Sequence, residues 1–212
     1  MWSAGRRYGH RVRRLLVLLP VLVGVVVGCA QPVPGTPAPV PPSAAGPATS
    51  AAPEVRLPPR PRDVPLDGLD PCTLLTADQR AELGLDQPPV LDVGPSTLYN
   101  GGVTQLCSIG GFEPRVIAVS IQLSVTGGIE LFLRPGVRSQ ITPIDVQGFP
   151  AVVAVPASLR DFCTVVVDVA PGQAVDIQVA TGGGQPPIPQ PELCTVAQRL
   201  AATVMDNLLA RR

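Results

Sequence analysis

The 212 residues carry 16 arginines, no lysine, 16 Asp and Glu and one histidine; five arginines precede Leu15, and the chain from Leu15 onward has five more acids than bases. Without a basic face to displace counterions from phosphates, nucleic acid is excluded as a partner. With His10 so near the start, Ser-His-Asp and Cys-His chemistry is excluded from the remainder; missing lysine excludes Schiff bases, Ser-Lys dyads and a phosphate-loop lysine, leaving carboxylates as the conventional acid-base groups.

Arg6, Arg7, Arg11, Arg13 and Arg14 lead directly into an apolar run over residues 15–27. This is the order of a signal peptide, and the run would extend only about 20 Å as a helix, against a hydrocarbon core of ~30 Å. It closes on Val26, Val27, Gly28 and Cys29, a set that resembles the lipobox of bacterial lipoproteins. Cleavage is expected before Cys29, whose thiol would carry the lipid that holds the chain on the extracytoplasmic face of the cell membrane. The alternatives are an ordinary cleaved leader with a coincidental cysteine and an uncleaved anchor. Residues 1–28 are thus expected as leader.

Residues 29–65, after the lipidated cysteine, are dominated by Pro, Ala, Gly, Ser and Thr. They hold too little apolar surface to offset their ordering entropy, so they are expected as a disordered tether, at most roughly 100 Å long at ~3.1 Å per residue. Residues 66–212 have the length of one folded domain.

Within that domain, Asp70 and Pro71 read as a helix start, Thr76 and Gln79 have capping-box spacing, and Gly84 supplies a stop. The period then changes to two. Val119, Ile121, Leu123 and Val125 alternate with Ser120, Gln122 and Ser124, as in a half-buried strand wet on one face. Cys163, Val165, Val167 and Val169, then Val175, Ile177 and Val179 after Pro171-Gly172, read as a hairpin. Weaker strands are expected over residues 103–109 and 144–155. Leu193, Val196, Ala197, Leu200, Ala201, Val204 and Leu208 fall on one stripe of a final amphipathic helix. The class is α+β: an antiparallel sheet packed by a short N-terminal helix and a longer C-terminal one.

Cys72, Cys107, Cys163 and Cys194 are an even set in an oxidising compartment, which favours two disulfides over free thiols. Zinc is the rival, unsupported by any Cys-x-x-Cys pair, and no metal or other cofactor is expected. Three connectivities are open. Cys72 with Cys107 and Cys163 with Cys194 is favoured, because each bridge would pin a terminal helix to a strand.

Asp70-Pro71-Cys72 with Leu74-Leu75-Thr76 and Gly84-Leu85, Gly148-Phe149-Pro150-Ala151-Val152, Cys163 leading a strand, and Leu193-Cys194 opening a helix together resemble the actinobacterial lipoproteins carrying domain of unknown function 3558. The likeness covers nearly the whole folded domain. Ile109 stands where members of that family often carry tryptophan. The resemblance implies an envelope lipoprotein with two disulfides and no established activity, so no catalytic residue is carried over. In its disulfide-stapled architecture the chain is similar, more distantly, to extracellular sensor domains of mycobacterial receptor kinases.

The expected function is a non-enzymatic binding or accessory module, anchored to the membrane by its lipid and recognising an envelope protein or a small ligand. One rival is a carboxylate-dependent hydrolase drawing on Glu113, Glu130, Asp145, Asp161, Asp168 or Asp176; another is a purely structural envelope protein. Asp168 and Asp176 fall on the solvent parity of the hairpin and are expected as solvated surface charges. Arg134, Arg138 and Arg160 could receive an acidic ligand, though solvated loop charges are the expected case. Gly182, Gly183 and Gly184 are expected as a flexible connection to the last helix. The mature aromatics are Tyr99, Phe112, Phe132, Phe149 and Phe162, few for sugar or base stacking.

Overall fold

The structure, a computed structural model, describes residues 55–212. The expected leader, the lipidation site Cys29 and residues 30–54 of the expected tether lie outside the described residues.

In chain order come a 3-10 turn at Pro71–Thr73, α1 (Ala77–Glu82), β1 (Val90–Ser96), β2 (Gly102–Gly111), β3 (Ile117–Ser124), a second 3-10 turn at Ile129–Leu131, β4 (Ser139–Val146), β5 (Phe149–Pro156), β6 (Phe162–Ala170), β7 (Gln173–Thr181) and α2 (Gln190–Leu209). The seven strands form one sheet in the order β1-β2-β3-β7-β6-β5-β4, and every neighbouring pair is antiparallel. Two meanders, β1-β2-β3 and β4-β5-β6-β7, are thus joined along β3 and β7. The α+β class holds for the sheet, for α2 and for the two disulfides.

The strand periodicity translates directly into register. Ile121 stands opposite Ile177, which stands opposite Val165 on its other side. Val119, Leu123, Val167, Val169, Val175 and Val179 share that face, and all are buried. The expected stripe of α2 is buried in full, joined by Met205, and the helix packs mainly on β6 and β7. The single strand expected over 144–155 is two strands around a Gln147-Gly148 turn, where both residues have positive φ, 54° and 81°. That conformation matches hairpin turns whose twist follows the strands. The Gly148 N–H donates to Asp145 Oδ1 at 2.9 Å.

The N-terminal helical segment divides in two. Asp70 accepts from the Cys72 N–H at 2.8 Å and caps the first 3-10 turn, while Thr76 and Gln79 form both bonds of their capping box before α1. Gly84 ends α1 with φ of 70°, and a Cβ there would lie 2.8 Å from the Glu113 carbonyl, so backbone passes against backbone. α1 buries none of its residues; Pro71, Leu74 and Leu75 are what this segment puts into the core.

Sequence periodicity gives no sign of β1. It is an edge strand with Val90, Leu91 and Val93 exposed, so burial imposes no alternation on it. The chain also joins the fold before residue 66. Val64 is fully buried with its N–H on the Val169 carbonyl at 2.7 Å, and Arg60 Nη1 bonds both carboxylate oxygens of Asp168 at 2.7 Å.

Candidate functional site

The even-numbered residues of the central strands face away from α2. That second face is not open to water throughout. Tyr99, from the β1–β2 connection, and Ile129, Leu131 and Phe132, from the β3–β4 connection, lie over it and form a smaller core with Val152, Ala154, Val166 and Ala174. Tyr99 and Phe132 meet edge to face with ring centroids 6.2 Å apart, a favoured aromatic geometry.

Beside this cover lies a cavity of about 700 Å³, within the range of small-molecule sites, ~300–1,000 Å³. Every strand contributes to its lining: Asp92 from β1, Thr104 from β2, Gln122 from β3, Gln178 from β7, Thr164 from β6, Ala154 from β5 and Ser139 from β4. A flat seven-stranded sheet would be about 29 Å wide at ~4.8 Å per strand. One cavity touched by both edge strands therefore requires a sheet curled into a trough. Leu98, Leu106, Leu131, Phe132, Val137 and Phe162 make its apolar walls.

The floor is a connected set of polar side chains anchored on Asp176. Gln122 faces Asp176 across the β3–β7 pairing, and Thr164 faces Gln178 across β6–β7. Asp176 is fully buried; it accepts from the Thr164 hydroxyl, from Gln178 Nε2 at 3.0 Å and from the Tyr99 hydroxyl at 3.3 Å. Gln178 Nε2 also lies 3.5 Å from Gln122 Oε1, and Gln122 Nε2 donates to Thr104 Oγ1 at 2.8 Å. Burial raises the pKa of Asp176 above the ordinary carboxylate range, and the bonds from Thr164, Gln178 and Tyr99 recover part of that cost. The Tyr99 phenol is raised well above its ordinary value, first by burial and then by the neighbouring Asp176.

The expectation that Asp176 and Asp168 are solvated surface charges is corrected. Parity placed them opposite the helix face, but the two connections cover Asp176, and Asp168 is engaged by Arg60. Burial, joined by the nearby charges of Glu130 and Asp63, leaves the pKa of Asp168 above its ordinary value although Arg60 lowers it. Glu130 accepts from the Gly128 N–H and Asp145 from Gly148, both local turn contacts, and Asp161 is exposed. Glu113 lines a separate groove beside α1. Among the described residues, Asp92 is the one charged residue in the lining of the large cavity. Arg134, Arg138 and Arg160 are exposed and contribute nothing to that lining.

In the expected connection to the last helix, a Cβ on Gly182 or Gly184 would come within 2.8 Å of the Val116 side chain, so their small size lets this segment pass against the residue that precedes β3. Cys72 is bonded to Cys107 and Cys163 to Cys194, with Cα separations of 5.0 and 5.1 Å. No thiolate of this set is left for zinc. The bridges tie the first 3-10 turn to β2 and α2 to β6. They close 35- and 31-residue separations, each contributing about 3–4 kcal/mol by chain entropy.

Gln122 is legible in the sequence as a polar strand position, whereas nothing in the alternation alone marks Thr104, Thr164 and Gln178 as partners of one site. The available signal was that uncharged amides and hydroxyls, rather than charges, occupy the second face of the central strands. Tyr99, one of two tyrosines in the chain, carried no period to place it.

Fold and cavity together define a disulfide-stapled α+β domain in which a curled antiparallel sheet has a helix on one face and a ligand-sized trough on the other. The model of the family described as "Protein of unknown function (DUF3558)" matches residues 24–207, and the chain belongs to that family. No curated protein and no solved structure matches it.

Proposed function

We propose that this chain is a lipid-anchored envelope protein whose folded domain is a non-enzymatic binding module, with the trough as its ligand site. The cavity carries the reading: about 700 Å³ of space with apolar walls and a connected polar floor. Apolar enclosure with a few convergent polar groups is the usual composition of a small-molecule site. Among the described residues the lining offers one carboxylate, Asp92, whereas carboxylate-dependent hydrolysis needs two acids facing across the reacting bond. The basic leader, the short apolar run and Cys29 support anchoring at the extracytoplasmic face, with the Pro-rich residues as a tether.

Native mass spectrometry tests the binding reading. Residues 30–212, secreted behind an exchangeable leader, are expected to carry excess mass that is lost on denaturation, or to acquire it after exposure to an envelope extract. Bare protein in both conditions would refute a ligand site. Anchoring is tested separately by metabolic labelling with a lipid precursor: label on the native chain and none on Cys29→Ala is expected, and equal labelling would refute it.

A further inference from the structure

The hydrogen-bond direction along the cavity floor restricts what can sit on it. Asp176 lies beneath the floor and presents carboxylate oxygens to its neighbours, so Gln178 must turn its Nε2 inward, at 3.0 Å. The same nitrogen lies 3.5 Å from Gln122 Oε1, which turns Gln122 Nε2 toward Thr104 Oγ1 at 2.8 Å. The orientation of each amide is thereby fixed in sequence, from the buried carboxylate outward. Three groups of the floor are left over among the described residues: Gln178 Oε1, which accepts no bond there, the second Nε2 proton of Gln122, and the Thr104 hydroxyl proton, since Thr104 Oγ1 serves as an acceptor. The floor consequently offers an acceptor at one end and donors at the other, all uncharged.

Charge narrows the class further. Among the described residues no arginine lines the cavity, Asp92 is exposed on β1, and the nearest carboxylate to the floor is Asp176, already satisfied by three donors. An anion on the floor would meet no cation and would lie above a buried acid. A cation on the floor would find Asp176 sequestered behind Gln178, and Asp92 stands off on the edge strand β1, exposed to water. A buried charge without a partner is strongly disfavoured, whereas uncharged hydroxyls, which both donate and accept, can meet Gln178 Oε1 at one end of the floor and Gln122 and Thr104 at the other. Leu106, Leu131, Phe132 and Phe162 then provide an apolar surface for the rest of the molecule.

Resting on the binding-module reading above, we infer that the trough takes an uncharged amphiphile, its hydroxyl-bearing end on the Thr104–Gln122–Gln178 floor and its apolar part along the walls.

The test uses three probes of equal alkyl chain length, 1-O-octylglycerol, nonanoate and octyltrimethylammonium, each below its micelle concentration and added to isotope-labelled residues 30–212. The ether link of the neutral probe cannot be hydrolysed. The expected result is saturable binding of octylglycerol, with shifts in the side-chain amide signals of Gln122 and Gln178, and at least about tenfold weaker binding of both ions. Gln178→Leu should weaken octylglycerol about five- to tenfold, the worth of one ordinary hydrogen bond. Thr104→Val, nearly isosteric, should do the same and serves if Gln178→Leu does not fold. Equal or tighter binding of either ion would overturn the uncharged class and leave the binding module standing. Octylglycerol that binds without moving the Gln122 and Gln178 amide signals would overturn the placement on the floor. If none of the three binds and native mass spectrometry finds bare protein, the binding-module reading itself fails.

Discussion

The Tyr99 hydroxyl donates to Asp176 Oδ2 at 3.3 Å across 77 residues of sequence, and with it a β1–β2 connection closes over the centre of the sheet. Tyr99 is 1% exposed and Asp176 0%. Removing the donor alone, by Tyr99→Phe, leaves the ring packing against Phe132 but deprives the carboxylate of one of three bonds. The expected loss is about 1–2 kcal/mol at pH 7, read from urea midpoints. It should shrink at pH 5, where a larger share of Asp176 is protonated.

Stability should fall with rising pH in a window set by Asp176 and Asp168. Both have folded pKa values raised above the ordinary carboxylate range, chiefly by burial. Between the unfolded and folded values the native state binds more protons than the unfolded state. Stability is therefore highest toward the unfolded pKa and declines as pH rises through the folded one. Urea midpoints between pH 4 and pH 8 should show this decline, and Asp176→Asn should flatten it. A midpoint that climbs steadily with pH would refute the buried-acid account.

The Arg60–Asp168 clamp and Val64 should make residues before 66 part of the domain's stability. Val64→Ala is expected to cost about 2 kcal/mol, from lost burial and the space it leaves. Arg60→Ala should cost about 1–2 kcal/mol, less than a fully buried pair because Arg60 keeps contact with water. Equal midpoints for the native chain and both variants would show that the domain starts later.

The two disulfides should act separately. Replacing Cys72 and Cys107 together by alanine, or Cys163 and Cys194 together, is expected to remove about 3–4 kcal/mol in each case. Proteolytic peptides from unreduced protein should link Cys72 only to Cys107 and Cys163 only to Cys194. Any crossed pairing would contradict the geometry.

Much of the helix face was legible in the sequence because local rules fix it. A period of two selects one side of β3, β6 and β7, a period near 3.6 selects one side of α2, and Thr76 with Gln79 makes its capping box within a single turn of chain. The favoured cysteine pairing followed from the same elements, since each bridge joins a terminal helical segment to a strand. Parity, however, states only that Asp176 lies opposite the helix face. Whether that face meets water depends on Tyr99, Leu131 and Phe132, which come from connections without a period of their own. The trough depends further on the curl that brings β1 and β4, at opposite ends of the sheet order, to one cavity. β1 left no pattern because both of its faces are largely exposed. The sequence by itself thus determined β3, β6, β7 and α2, and favoured the two bridges that form, through contacts whose spacing the backbone dictates. Only the tertiary structure decided that Asp176 is buried and that Thr104, Gln122 and Gln178 form a floor, because burial on the second face is created by segments distant in sequence.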